Sequence, residues 1–192
     1  MNPDPITNES NTVKHFFLLA ALLFLLPANA APATNVYDVE VLVFETRIPE
    51  LEGGELWTTE RTRAPVPEPG AIAAYGAAVG DFSLKAAAAA MEKSGDYRVL
   101  VHQRWRQTAE EKSATKPVWL RNPDGQMEGS FRFYMSRFLH VDLDLVMREK
   151  DSNATGVNYR LTEHRRIKTQ ELQYFDHPKF GALVRVTQAG KD

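Results

Sequence analysis

Residues 139–145 read LHVDLDL, with Leu139, Val141, Leu143 and Leu145 alternating with His140, Asp142 and Asp144. A period of two puts the aliphatic side chains on one strand face and the polar ones on the other, as in a sheet with a core side and a solvent side. The pattern repeats on both flanks. Upstream, Met127, Gly129, Phe131 and Phe133 alternate with Glu128, Ser130, Arg132 and Tyr134. A short strand at Pro117 to Leu120 and the turn Asn122-Pro123-Asp124-Gly125 come before them. Downstream, Tyr159, Leu161 and Ile167 oppose Arg160, Thr162, His164, Arg166 and Lys168, after a polar turn-like stretch from Lys150 to Gly156. Strands at Leu172 to Phe175 and Ala182 to Val186 follow, joined by a turn over Asp176-His177-Pro178-Lys179-Phe180-Gly181.

The N-terminal half holds two more strands and one helix. YDVEVLVF (Tyr37 to Phe44) has Tyr37, Val39, Val41 and Val43 on one face; the other runs from Asp38 and Glu40 into Leu42 and Phe44, so burial should increase along it. In YRVLVHQRWRQ (Tyr97 to Gln107), parity sets Tyr97, Val99, Val101 and Trp105 against Arg98, Leu100, His102, Arg104 and Arg106. Asp81 is positioned to cap an Ala-rich helix with a Leu84, Ala88, Met91 stripe and Gly95 as its stop. Ile48 to Gly80 is a Pro/Gly-rich excursion with one short helical piece near Ala71 to Ala78 and Trp57 as its large apolar anchor, a plug on the core edge or a ligand platform. The expectation is an α+β fold with a largely antiparallel β-sheet and one convincing helix.

Composition agrees. The chain has 192 residues, 43% apolar and 25% charged, as in a globular domain, and a net charge of −2 gives no sign of a nucleic-acid binder. The absence of cysteine excludes disulfide scaffolds, thiolate metal sites, cysteine nucleophiles and a lipid-bearing N-terminal cysteine. Lys14 and His15 precede an apolar run, Phe16 to Leu26, and Pro27-Ala28-Asn29-Ala30 supplies an A-x-A site. These are the parts of a secretory signal peptide over residues 1–30, with cleavage expected after Ala30. The run is too short to span a hydrocarbon core of roughly 30 Å. Residues 31–192 then form one exported domain with no membrane span, and the lack of cysteine fits a bacterial periplasm.

No nucleophile elbow, phosphate loop, dinucleotide fingerprint or HExxH appears. His140, Asp142 and Asp144 share one strand face, a solvated polar face or a conceivable ligand comb, and the residues imply no metal or cofactor. Asp176-His177 is a turn-stabilising pair or a functional carboxylate–imidazole pair. The basic parity rows, Arg98/His102/Arg104/Arg106 and Arg160/His164/Arg166/Lys168, contain no acid. If their strands share a sheet, they make one cationic face, either merely solvated or docked on an anionic partner.

In their order, VYDVEVLVFE (Val36 to Glu45), YRVLVHQRWRQ, RFLHVDLDL (Arg137 to Leu145) and NYRLTEHRRIKTQELQYFDHPKFGALVRV (Asn158 to Val186) resemble the CsiV family of Gram-negative periplasmic peptidoglycan-binding proteins. Phe138 stands where the family pattern has Tyr, and Gln173 where it has His. The resemblance implies a non-enzymatic accessory of cell division and wall biogenesis. Such a protein binds peptidoglycan and promotes synthesis by a bifunctional penicillin-binding protein through that enzyme's outer-membrane lipoprotein activator. It supplies no binding residues. From the cationic face and the motif elements, the candidates are Arg104, Trp105, Arg106, His140, Arg165, Arg166, Tyr174, Asp176 and His177. The arginines would meet stem-peptide carboxylates, and Trp105 or Tyr174 would stack on sugars. The alternatives are a wall hydrolase using Asp176-His177 or His140-Asp142, and an adaptor that binds only proteins.

Overall fold

A computed structural model describes residues 35–48, 67–78, 80–148 and 158–190, together with Met1. The expected signal peptide, Trp57 and the Lys150 to Gly156 turn lie outside the described residues. The chain divides into Met1–Ala33 and Thr34–Asp192, and the elements below belong to the second unit.

Among the described residues, nine strands and one helix follow in chain order: β1 (Val36–Thr46), β2 (Gly76–Ala77), α1 (Lys85–Ser94), β3 (Tyr97–Thr108), β4 (Val118–Arg121), β5 (Met127–Met135), β6 (Leu139–Arg148), β7 (Asn158–Ile167), β8 (Leu172–His177) and β9 (Phe180–Gln188). They build a five-stranded sheet, β2-β3-β1-β9-β8, and a four-stranded sheet, β4-β5-β6-β7, each antiparallel throughout. The α+β, largely antiparallel expectation holds. The alternating apolar side chains meet in one core: Val39, Val41, Val43, Trp105, Val184 and Val186 from the first sheet, and Phe131, Phe133, Val141, Leu143, Leu145 and Leu161 from the second. Burying such side chains is worth roughly 1.5–3 kcal/mol each, and with no cysteine this packing must hold the domain together.

β1 lies at the centre of the larger sheet, so both its faces are buried from the start rather than increasingly along it. Its inner face enters the core. Its outer face carries Asp38, Glu40, Leu42 and Phe44, all buried, and α1 lies over the apolar half through Leu84, Ala87, Ala88 and Met91. The helix start differs from expectation. Leu84 takes the N-cap position with no side-chain cap, and Asp81 does not fill that role. Glu40 of β1 does so from across the fold. Its carboxylate accepts from the Ser83 amide at 2.8 Å, the Ser83 hydroxyl at 2.6 Å and the Leu84 amide at 2.9 Å, and meets His102 Nε2 at 2.7 Å. Gly95, at φ +78°, ends the helix as expected.

Two further expectations fail locally. Residues 71–78 are extended rather than helical: Ile72 bridges Val118, and β2 pairs with Trp105 and Arg106. The edges of β3 and β4 thus capture their backbone groups, which two neighbouring glycine and proline positions discourage from coiling. The second failure is parity along β3. The register against β1 shifts between Val43 and Phe44, where Val101 and Val99 are the successive partners, so Leu100 is the extra residue of a bulge. A one-residue slip exchanges the faces. Tyr97 and Val99 therefore pack under α1, while Arg98 turns to the side of Glu45, with which it pairs at 2.8 Å.

Glu40→Ala would strand two backbone amides, a hydroxyl and an imidazole, and is expected to cost about 3 kcal/mol in urea unfolding. Burial alone would raise the Glu40 carboxyl, but the bonds from Ser83, Leu84 and His102 outweigh it and hold it below the usual glutamate value. Its stabilisation is therefore complete above the unfolded carboxylate pKa and is lost as pH falls through the lower folded one. Glu40→Gln should remove that part of the acid-side slope.

Candidate functional site

The two basic rows occupy different sheets, which overturns the premise of one shared cationic face. Each is also met by acids from a neighbouring strand. On β3, Arg106 Nε donates to Asp38 at 2.7 Å, Arg104 approaches the same carboxylate at 3.1 Å, and His102 meets Glu40. On β7, Arg160 forms a two-point contact with Asp144 at 2.7 and 2.6 Å and His164 Nδ1 meets Asp142 at 2.5 Å; just past the strand, Lys168 pairs with Glu171 at 3.3 Å within the turn to β8. The acids were visible in the sequence as the polar residues of β1 and β6. Only strand pairing set them beside the bases.

The nine candidates separate into three places. Trp105 has no exposed surface: its ring packs edge-on against Phe131 and its Nε1 donates to Gln107 at 2.7 Å, so it is a core residue and no sugar platform. Arg104 and Arg106 flank it and hold Asp38. Arg165 points to the inner side of β7. There it pairs with Glu163 at 2.7 Å, donates to the Tyr174 carbonyl at 2.6 Å, and covers the Phe175 ring at 4.3 Å, joining β7 to β8 across the two sheets.

Asp176 and His177 are paired strand residues of β8, opposite Gly181 and Phe180, so the hairpin loop is only Pro178-Lys179. Asp176 accepts the Tyr174 hydroxyl at 2.7 Å, and His177 Nδ1 accepts the Lys179 amide at 3.1 Å. Burial lowers the His177 pKa. Burial and the Asp176 bond push the Tyr174 phenol up to about 12. The Tyr174 ring stacks on Phe44 at 6.3 Å and remains half exposed. Gly181 permits this: a Cβ there would come within 2.8 Å of Phe44 and 3.2 Å of Tyr174.

His140 and Arg166 are register partners on the outer face of the four-stranded sheet. Tyr134, His140 and His164 form a near-parallel stack, with centroids 5.4 Å apart for Tyr134–His140 and 5.2 Å for His140–His164. Beneath it, Asp142 receives Lys112 Nζ at 2.6 Å as well as His164. Burial alone would raise the Asp142 carboxyl; the bonds from His164 and Lys112 hold it below its usual value. The carboxylate–imidazole pair on this face is therefore His164–Asp142, whereas the sequence suggested His140–Asp142. His140 Nδ1 is buried with no hydrogen-bond partner. Burial first, then the neighbouring His164, lowers its pKa and keeps the ring neutral. At the end of the stack, the exposed Arg166 guanidinium lies 3.4 Å from the centroid of Phe138, itself 39% exposed, and Arg137 lies at 5.4 Å.

Sequence reading missed Lys112, Tyr134, Arg137 and Phe138. Phe138 had a signal, as an aromatic directly after Arg137 and just before a strand start. Lys112 had none, since it reaches Asp142 from a separate loop. Among the described residues, no group of three or more His, Asp or Glu is arranged to hold a metal ion, and no helix is long and apolar enough to cross a membrane.

An antiparallel sheet pair exposing an aromatic ring beside guanidinium groups is a binding module in form. A family model described as peptidoglycan-binding protein, CsiV, matches residues 73–189, more than half of the chain. The chain belongs to the CsiV family of peptidoglycan-binding proteins. No curated protein and no solved structure matches it.

His140 should titrate below the ordinary histidine value when its ring resonances are followed by NMR against pH. His164→Gln should move it partway back, because burial remains. A histidine held neutral in the fold destabilises it as pH drops below the unfolded imidazole pKa, so His140→Phe should flatten stability in that range.

Proposed function

We propose that this protein is a periplasmic, non-enzymatic peptidoglycan-binding accessory that promotes wall synthesis during cell division. It would act on a bifunctional penicillin-binding protein through that enzyme's outer-membrane lipoprotein activator. The signal peptide over residues 1–30, cleaved after Ala30, would deliver residues 31–192 to the periplasm, and retention at the wall would come from binding. The observation that carries this reading is the end of the outer face of β5–β7, where the exposed Phe138 ring and Arg166 lie against one another with no carboxylate on Arg166 among the described residues. Sugars are bound by flat ring faces and stem-peptide carboxylates by guanidinium groups.

Of the original candidates, Arg166 and His140 remain for this role, with Tyr174 as a second exposed ring. Arg104, Arg106 and Arg165 hold the fold. A hydrolase built on Asp176-His177 is disfavoured, because Tyr174 and the Lys179 amide occupy the atoms that would relay a proton.

Purified residues 31–192 should co-sediment with isolated sacculi, less so as salt is raised, and should release no muropeptides. Arg166→Ala should lower the bound fraction at unchanged stability. Arg104→Ala should instead lower the unfolding midpoint, since it leaves buried Asp38 short of a partner. Muropeptide release that disappears in His164→Ala would replace the binding reading with a hydrolytic one.

A further inference from the structure

We infer that Arg137, Phe138 and Arg166 form a carboxylate-reading subsite, one that distinguishes wall glycopeptides with free stem-peptide carboxylates from those whose carboxylates are amidated. This rests on the peptidoglycan-binding reading and names the chemistry the site recognises. Phe138 lies in the turn that joins β5 to β6, just before Leu139, and Arg166 reaches it from β7. Both guanidinium groups lie within 5.4 Å of one ring centroid.

Stacking uses the face of a guanidinium and leaves its N–H donors in the plane, where a carboxylate is met bidentately. Neither arginine has a carboxylate partner among the described residues, whereas Arg98, Arg132, Arg148, Arg160 and Arg165 each have one. Two like charges sharing one exposed ring have their repulsion relieved by an anion set between them. His140, across the sheet from Arg166, is held neutral and adds no competing charge. The Phe138 ring provides an apolar face beside the anion position. An anion beside an apolar face matches a sugar bearing an acidic peptide better than a bare phosphate. Amidation would remove the charge and replace an acceptor with a donor, which two guanidinium groups cannot satisfy.

The test is calorimetric titration of residues 31–192 with a soluble disaccharide-tetrapeptide, compared with the same compound carrying amidated carboxylates. Wild type should prefer the free acid by about tenfold or more, the size of one charge-assisted contact. Arg137→Ala plus Arg166→Ala should abolish the preference. Arg166→Lys should keep part of it, having charge without the planar fork. Phe138→Ala should weaken both compounds alike. Equal affinity of wild type for both compounds, or a preference that survives the double substitution, would overturn the subsite while leaving sacculus binding intact. Failure of wild type to bind either the compounds or sacculi would overturn the peptidoglycan reading itself.

Discussion

The Glu40 carboxylate is the contact on which the arrangement of the larger sheet depends. A carboxylate only 2% exposed is costly unless its lone pairs are filled, and here four donors fill them. Three belong to Ser83 and Leu84, the entry to α1, and the fourth to β3. One side chain on the central strand thus sets where the helix begins, which half of the sheet it covers, and how β3 is locked against β1. Asp38, two residues earlier on the same face, does the corresponding work for Arg104 and Arg106.

This arrangement explains why the larger sheet offers little to a charged ligand. Its outer face is divided between an apolar half beneath α1 and a polar half in which Asp38 and Glu40 engage Arg104, Arg106 and His102. The four-stranded sheet is organised differently. Its acids, Asp142 and Asp144, engage His164, Lys112 and Arg160, and the cationic row extends beyond them to Arg166 at the end of the strand. The surplus falls at the hairpin between β5 and β6, where Phe138 is exposed. Near-neutral net charge is thus compatible with a local anion-facing end, because many of the acids are spent on bases elsewhere while Arg137 and Arg166 have no carboxylate partner among the described residues.

Strand existence and type were legible along most of the described chain. Period-two alternation at β5, β6 and β7 identifies each core face because that side carries the apolar row of each strand. Family membership was equally legible, carried by ordered motifs. The failures share a cause. Asp81 was a reasonable local cap, but a buried carboxylate from a strand more than forty residues away competed for the same amides and won. Residues 71–78 took extended pairing because open strand edges were available to them. On β3, a bulge at Leu100 reversed the faces, and no residue type there announces it.

The site was legible in kind and not in place. The sequence by itself determined that alternating strands would form an antiparallel fold around an aliphatic core, since side-chain period is a property of the backbone. It also determined the supply of arginines, histidines and aromatic rings. Only the tertiary structure decided which of them remain available. Charge compensation depends on which strands are neighbours and in what register, and those are long-range choices. The pairing of β1 with β3 consumed Arg104 and Arg106, the meeting of the two sheets consumed Trp105 and Arg165, and the end of β7 left Arg166 lying on Phe138.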